Sequence, residues 1–109
     1  MKYNIIATPR FRRDIKKLAK KYISLKNEYA NLITSLETNP EQGIPLKNNC
    51  YKIRLSISSK GKGKSGGARV ITYALIKEQT VFLLTIYDKS EKENINDKEL
   101  KDLLSQLSE

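Results

Sequence analysis

Apolar and polar positions follow two different repeats along this chain, and the first repeat predicts helices. A short apolar stretch at 3–7 suits a strand. Between positions 11 and 36, apolar residues then recur at intervals of three and four, the spacing of one helical face. Thr8 followed by Pro9 is a helix start signal, and Ser24 can cap a second helix. Because the link between them is short, the two helices should form an antiparallel hairpin.

After the helices the period changes to two, which predicts strands. The segment 50–58, CYKIRLSIS, alternates between apolar and polar residues, and the segment 69–76, RVITYALI, is rich in β-branched residues. The segment 81–87, VFLLTIY, is apolar on both faces, which predicts a central strand covered on both sides. Short links join the three, so we expect an antiparallel meander.

A leucine stripe at 100–107 predicts a C-terminal helix, with Asn96 and Glu99 placed to form a capping box. The predicted order is therefore β-α-α-β-β-β-α. This order indicates an α+β fold in which an antiparallel sheet packs against an N-terminal helical hairpin and a C-terminal helix follows. We expect residues 1–109 to form a single domain.

The distribution of charge along the chain indicates what kind of partner the protein binds. The chain has 21 Lys+Arg and 12 Asp+Glu, a net charge of +9. Residues 1–87 hold 17 basic and 5 acidic residues, net +12, and residues 88–109 hold 4 basic and 7 acidic residues, net −3. A basic body of this size favours a polyanionic partner, of which nucleic acid is the usual one. The alternative is a protein that is simply basic.

The composition also excludes several kinds of site. There is no histidine and one cysteine, so no intramolecular disulfide, Cys/His zinc site or histidine-based proton transfer is possible. We predict no metal and no cofactor. The N-terminal apolar stretch is too short for a signal peptide, and no segment reaches the roughly 18 apolar residues of a membrane helix. We expect a cytoplasmic protein without membrane contact.

The glycine-rich stretch 61–67 has the spacing of a dinucleotide-binding motif, but a β-branched segment follows where that motif needs a helix. Glycine allows a partner to approach the backbone closely. Three lysines alternate with these glycines and are candidates to bind a phosphate backbone: Lys60, Lys62 and Lys64. The alternative is a solvated loop.

Basic residues also occupy the polar face of the predicted sheet. Lys52 and Arg54 lie on one face of their strand, and Arg69 and Tyr73 share a face of the next. A lysine among other cations can serve as a general base, and an arginine can stabilise a phosphorane-like transition state. The alternative is the ordinary polar face of an antiparallel sheet.

The first predicted helix carries seven basic residues, which form a solvated face or a face that follows a phosphate backbone. Four of them are candidates to contact the phosphates of a nucleic acid such as RNA: Arg10, Arg13, Lys17 and Lys20.

The element order, the segment 50–55 (CYKIRL) and the segment 69–73 (RVITY) resemble the RelE/ParE superfamily of toxins from type II toxin–antitoxin systems. The stretch 61–67 and the ending 84–89 (LTIYDK) are similar to a RelE/HigB-like subgroup. The resemblance implies a ribosome-dependent mRNA endoribonuclease that cleaves in the A site. The 2′-hydroxyl would attack without a metal and leave a cyclic phosphate. The implied partners are a cognate antitoxin and mRNA on the 70S ribosome with its 16S rRNA.

The resemblance also implies catalytic roles. Lys52 matches a residue linked to proton transfer, Arg54 a second basic position, and Arg69 the arginine at the scissile phosphate. Lys89 falls in the basic stretch after the last strand of the sheet.

The chain departs from the family pattern at two positions. Ser90 lies where a phosphate-contacting arginine can occur, and Asn96 lies where a catalytic tyrosine is expected. Tyr87 or Tyr73 could take the tyrosine's place. Two alternatives to the RNase remain open: a ParE-like inhibitor of DNA gyrase, and a non-catalytic RNA-binding module.

Overall fold

A computed structural model describes residues 2–60, 66–92 and 94–107. The helices are α1 (Pro9–Lys21), α2 (Leu25–Thr38) and α3 (Asp97–Ser105). The strands are β1 (Asn4–Ala7), β2 (Ile44–Pro45), β3 (Cys50–Leu55), β4 (Ala68–Leu75) and β5 (Thr80–Asp88). The predicted α+β fold is confirmed, with β2 added where a loop was expected. None of the helices in the described ranges combines the length and apolar character needed to span a bilayer.

The five strands form one sheet in the order β1-β5-β4-β3-β2. The last three long strands make the predicted antiparallel meander. β1 pairs with β5 in parallel, because the helical hairpin provides the long crossover that a parallel pair requires. β1 pairs only with the first half of β5, from Thr80 to Leu83, so β1 leaves the edge of the second half uncovered.

The start of α1 follows the predicted signal. Thr8 Oγ1 accepts a hydrogen bond from the Phe11 amide at 3.2 Å and donates one to the Leu83 carbonyl at 2.9 Å. This one hydroxyl therefore caps α1 and ties it to β5. Ser24 occupies the predicted cap position of α2 but makes no capping bond. Its hydroxyl instead donates to Ser59 Oγ at 2.9 Å.

The two helices of the hairpin cover one face of the sheet, as predicted. Their buried residues and those of the strands form the first core: Phe11, Leu18, Leu25, Leu32, Leu36, Ile53, Val70, Leu83 and Ile86. The alternation of β3 is confirmed, because Ile53 lies in this core and Arg54 is exposed.

The opposite face of the sheet is covered by α3, which places Leu100 and Leu103 on Ile71 and Leu84 in a second core. The prediction that β5 is covered on both sides is thereby confirmed. An irregularity in the β4–β5 register leaves Leu84 without a partner, since Ile71 pairs with Thr85 and the next β4 residue pairs with Leu83. This β-bulge shifts the alternation of β5, so that Leu84 and Tyr87 share a face although they are three residues apart.

Candidate active site

Three candidate residues form one row across the sheet. Arg54 pairs with Arg69, and Arg69 pairs with Tyr87, on β3, β4 and β5. Side chains of directly paired residues lie on one face with Cβ atoms about 5 Å apart. The expectation that Arg54 and Arg69 come together is confirmed. The direct pairing of two arginines concentrates positive charge on this part of the sheet face.

The row runs from solvent into the protein. Arg54 is exposed, whereas Arg69 is only 3% exposed and donates from Nη1 to the Ala68 carbonyl at 3.1 Å. The Tyr87 hydroxyl is buried without a hydrogen-bond partner among the described residues. Burial raises the pKa of Tyr87, the charge of Arg69 lowers it, and the charge of Glu99 raises it further. Arg54 is therefore open to a macromolecule and Tyr87 lines a groove, whereas Arg69 between them is buried.

Lys52 lies on β3 opposite Ile71, one step along the same face from Arg54. Its ammonium group donates to Asn94 Oδ1 at 3.1 Å, which connects the strand to the segment leading into α3. The start of α3 is fixed by the predicted capping box, in which Asn96 Oδ1 accepts from the Glu99 amide at 2.9 Å. The carboxylate of Glu99 also forms an ion pair with Lys92. These contacts hold the approach to α3 beside the row.

A groove of about 430 Å³ runs along the half of β5 that β1 does not cover. It lies between α1 and the segment that precedes α3, which contributes Lys92 and Ile95 to its lining. Arg10 and Lys17 border this groove, and Arg10 Nε bonds Asp14 at 3.1 Å. Arg13 and Lys20 are exposed, and neither lines the groove. The four candidate RNA contacts of α1 therefore divide between the groove and the open surface.

Lys60 lies in a different environment from the one expected. Its side chain is 7% exposed, and Nζ lies 2.6 Å from Asp88 Oδ1 and over the ring of Tyr22. The structure therefore corrects the expectation that Lys60 offers its ammonium group to a phosphate backbone, because a buried carboxylate already binds it. Lys62 and Lys64 lie outside the described residues.

Lys89 follows Asp88 directly and is half-buried. Its amide donates to the Gly67 carbonyl at 3.0 Å, so Lys89 is held beside the start of β4. Gly67 is required at this point, because a Cβ there would lie 2.1 Å from the Leu55 carbonyl oxygen. Lys89 therefore lies two residues beyond Tyr87, just past the end of β5.

Tyr73 lies at the other end of β4, about 13 Å from Arg69 at 3.3 Å per residue. Its ring stacks on Phe82 with the ring centres 6.1 Å apart, and it packs against the second core. Tyr73 therefore shares the sheet face of Arg69 but lies among residues of the second core, and its contact with RNA stays a prediction. Cys50 is also in the second core, where burial raises the pKa of its thiol to about 11.

The sequence did not point to Asp88 or Tyr22 as parts of the site. Tyr22 belongs to an apolar stripe, and its hydroxyl partner lies 66 residues away. One feature of the sequence could have indicated Asp88: its carboxylate follows directly after seven mostly apolar residues. Within the ranges that the structure describes, no group of carboxylates and cysteines could hold a metal ion.

Two kinds of comparison agree on what this chain is similar to. The family model described as the RelE toxin of the RelE/RelB toxin–antitoxin system matches residues 11–108. Among solved structures, a mutant of the E. coli toxin RelE in the free state matches with a TM-score of 0.62 at 14% identity, over 98% of this chain and 99% of that one. The isolated E. coli RelE toxin matches with a TM-score of 0.56 at 14% identity, over 96% and 98%.

The toxin–antitoxin complex RelBE2 from Mycobacterium tuberculosis is also similar, with a TM-score of 0.57 at 21% identity, over 81% of this chain and 92% of that one. These structural likenesses support the fold. The family match covers nearly the whole chain and includes every described strand of the candidate site. The chain therefore belongs to the RelE family of toxins from toxin–antitoxin systems.

Proposed function

We propose that this toxin is a metal-independent endoribonuclease that cleaves mRNA in the ribosomal A site and thereby arrests translation. The observation that supports it best is the row of Arg54, Arg69 and Tyr87, with Lys52 beside it on the same sheet face. Cations and a phenol in one row match the needs of phosphodiester cleavage better than those of a passive surface.

The proposed reaction is attack of a ribose 2′-oxygen on the adjacent phosphorus. The bond from phosphorus to the 2′-oxygen forms, the bond to the 5′-oxygen breaks, and the products are a 2′,3′-cyclic phosphate and a 5′-hydroxyl. Arg54 and Arg69 stabilise the added negative charge of the phosphorane. Because the chain has no histidine, Lys52 in its neutral amine form accepts the 2′-proton, and the leaving oxygen takes a proton from Tyr87. Lys89 contributes a further positive charge two residues beyond Tyr87.

The proposal requires the RNA to reach Arg69. In the structure Arg69 is 3% exposed, and Lys52 is engaged by Asn94. The segment that precedes α3, which includes Asn94, must therefore shift on the ribosome. This shift would let the RNA reach Arg69 and replace Asn94 at Lys52. Nothing covalent opposes this shift, since the contacts are hydrogen bonds and ion pairs.

We further propose that the exposed basic residues bind rRNA and mRNA phosphates. Arg13 and Lys20 present such charges on α1, and Arg10 and Lys17 do so at the groove. Lys62 and Lys64 remain candidates for the same role. Binding through phosphates predicts a steep loss of ribosome affinity as salt rises.

A cognate antitoxin is the second proposed partner. The RelBE2 protein of M. tuberculosis is described as a toxin–antitoxin complex, and this chain belongs to the same family. The net charge of +9 favours an antitoxin segment rich in acidic residues. Because its proposed substrate is mRNA on ribosomes, we propose that the toxin acts in the cytoplasm.

The experiment is in vitro translation followed by primer extension on the mRNA, with and without ribosomes. We expect cleavage within the reading frame only when ribosomes are present. Arg69→Ala and Lys52→Ala should each lower the cleavage rate on the order of 100- to 1000-fold. Lys77→Ala is the matched control, because Lys77 is exposed in the turn between β4 and β5.

Two results would contradict the proposal. Full cleavage by both site variants, with folding verified by circular dichroism, would place the active site elsewhere. Intact mRNA together with inhibited DNA supercoiling would indicate a gyrase inhibitor, and ribosome binding without turnover would indicate a non-catalytic RNA-binding module.

A further inference from the structure

We propose that Asp88 is a positioning residue that fixes Lys60, Gly67 and Lys89 beside the row of Arg54, Arg69 and Tyr87, which we call the active row. It acts through a cluster of four residues around the buried Asp88 carboxylate, Tyr22, Lys60, Asp88 and Ser90, which we call the Asp88 node. The effect on catalysis rests on the proposed function, whereas the effect on local structure does not.

The carboxylate of Asp88 is surrounded by donors. Asp88 is 1% exposed, and its Oδ1 lies 2.6 Å from Lys60 Nζ, 2.9 Å from the Ser90 amide and 2.7 Å from Ser90 Oγ. Its Oδ2 accepts from the Tyr22 hydroxyl at 2.7 Å. The Lys60 ammonium group also lies 5.3 Å from the centre of the Tyr22 ring, within the range of a cation–π contact. Both carboxylate oxygens are therefore satisfied.

The node lies next to the active row. Asp88 pairs with Ala68, and Ala68 pairs with Leu55, which places this row one position beyond Arg54, Arg69 and Tyr87. Side chains alternate along each strand, so the Asp88 carboxylate lies on the opposite face, toward the end of α1 where Tyr22 follows. A shift of Asp88 would move Tyr87 and the arginine row through the backbone.

Hydrogen bonds of the main chain around Asp88 link the position of Asp88 to that of Lys89. The Asp88 carbonyl accepts from the amides of Glu91 and Lys92 at 3.0 and 3.1 Å, which forms the turn after β5. Within this turn the Lys89 amide donates to the Gly67 carbonyl. The node thus fixes Lys60 before the glycine-rich stretch and, through Lys89, fixes Gly67 at its end.

A second set of contacts holds the turn before the glycine-rich stretch. The Ser58 amide donates to Glu28 Oε2 at 2.6 Å, and the Ser59 amide donates to Ser24 Oγ at 3.0 Å. The turn Ser58–Lys60 is thereby joined to the start of α2 as well as to Asp88. Stability does not require this construction, because a buried ion pair is often no better than an apolar pair of similar size. We infer that the node is used for its geometry.

The charge state of the node distinguishes positioning from proton transfer. Burial by itself would raise the pKa of Asp88, but the hydrogen bonds from Lys60, Tyr22 and Ser90 outweigh it and hold the pKa well below its usual range. Asp88 therefore stays ionised at neutral pH, so it has no proton to donate as a general acid, and its low pKa makes it a weak general base.

The test compares two identical chemical changes. Tyr22→Phe removes the hydroxyl that binds Asp88 and keeps the ring under Lys60, whereas Tyr29→Phe removes a hydroxyl from a ring that packs on Phe11 in the first core. We expect Tyr22→Phe to lower kcat for ribosome-bound mRNA about 10- to 100-fold with KM unchanged. Tyr29→Phe should leave both parameters unchanged.

A double variant, Lys60→Met with Asp88→Asn, removes both buried charges together. If the node served stability alone, this variant would regain wild-type kcat whenever its melting temperature matched that of the wild type. We expect kcat to stay low at a matched melting temperature. Recovery of kcat would overturn the proposal, and so would a change in KM alone.

Amide hydrogen exchange at Lys89 gives a readout that does not depend on cleavage. Exchange at this amide should be faster in Tyr22→Phe and in the double variant than in the wild type and in Tyr29→Phe. If the wild type cleaves no mRNA, the proposed function fails while this measurement still tests the node. Unchanged exchange at Lys89 in both node variants would overturn the proposal.

Discussion

The residues of the active row differ in environment although they are neighbours in space. Arg54 is exposed and Arg69 is buried, so Arg54 can meet an incoming phosphate before Arg69 does. Tyr87 carries a buried hydroxyl that lacks a hydrogen-bond partner within the described part of the chain. A buried polar group without a partner costs stability, so a functional reason for this hydroxyl is to be expected.

Tyr87→Phe should separate stability from activity. Removing an unpaired buried hydroxyl leaves the free energy of unfolding unchanged or slightly higher, because no hydrogen bond is lost. If Tyr87 supplies the proton to the leaving oxygen, cleavage falls about 100-fold or more. Urea denaturation and primer extension on the same preparation measure both effects. Lower stability with full cleavage would contradict both parts of this prediction.

Thr8→Ala should destabilise the protein by about 1–2 kcal/mol, because the Thr8 hydroxyl caps α1 and also donates to the Leu83 carbonyl. Thr34→Ala is the matched control, since the Thr34 hydroxyl is exposed and bonds only the Ala30 carbonyl within α2. That control should change the free energy of unfolding by less than about 0.5 kcal/mol. Equal losses in urea denaturation would show that the cap contributes nothing specific.

At the scale of elements, the β-bulge in β5 and the packing of α3 on the sheet together determine the surroundings of the active row. The bulge brings Tyr87 to the face of Arg69, and α3 covers that face through its leucines. α3 has nine residues, too few for a stable isolated helix in water. Its stability therefore comes from the second core and from the capping box.

Leu103→Ala should test this dependence. Leu103 is buried in the second core, so truncation costs about 2–4 kcal/mol. Leu104→Ala removes the same atoms from a half-buried neighbour and should cost about half as much. Urea denaturation measures the difference, which would vanish if α3 did not pack on the sheet as described.

At the scale of the whole molecule, positive charge dominates the body of the protein and gives way to a net negative charge in the C-terminal segment. The body of the protein is basic and the segment 88–109 carries a net −3. Two of its carboxylates are held ionised: the pKa values of Asp88 and Glu99 both lie below their usual range because lysines and other donors bind them. These groups make the stability of the molecule depend on pH in one direction.

The free energy of unfolding should fall as the pH drops below about 4, the range in which a carboxylate of the unfolded chain becomes protonated. A lowered pKa in the folded state stabilises the fold fully above the unfolded value, and this stabilisation is lost as the pH falls through the folded value. The double variant Lys60→Met with Asp88→Asn lacks the contribution of Asp88 and should show a shallower fall. Urea denaturation from pH 6 to about 2 measures both slopes. Stability that rises on acidification would contradict the assignment.

Much of the site could be predicted from the sequence, whereas the residues that were placed wrongly depend on contacts that local patterns do not indicate. Alternation in β3 placed Lys52 and Arg54 on one face, and the strand pairing then brought Arg69 opposite Arg54 as expected. Tyr73 shares the sheet face of Arg69 as expected, but parity alone does not show that it lies among residues of the second core. Lys60 was expected in solvent, because nothing near it in the chain indicates a partner 28 residues away.

The sequence by itself determined the elements, their order and the limits on chemistry. Hydrophobic periods, the Thr8-Pro9 start and the capping box of α3 are local signals, and the absence of histidine is a property of composition. Only the tertiary structure decided that β1 joins β5 in parallel, that a bulge brings Tyr87 to Arg69, and that Asp88 binds Lys60. The physical reason is that each of these features depends on contacts between residues distant in the chain, and these form only when the sheet and its two cores assemble together.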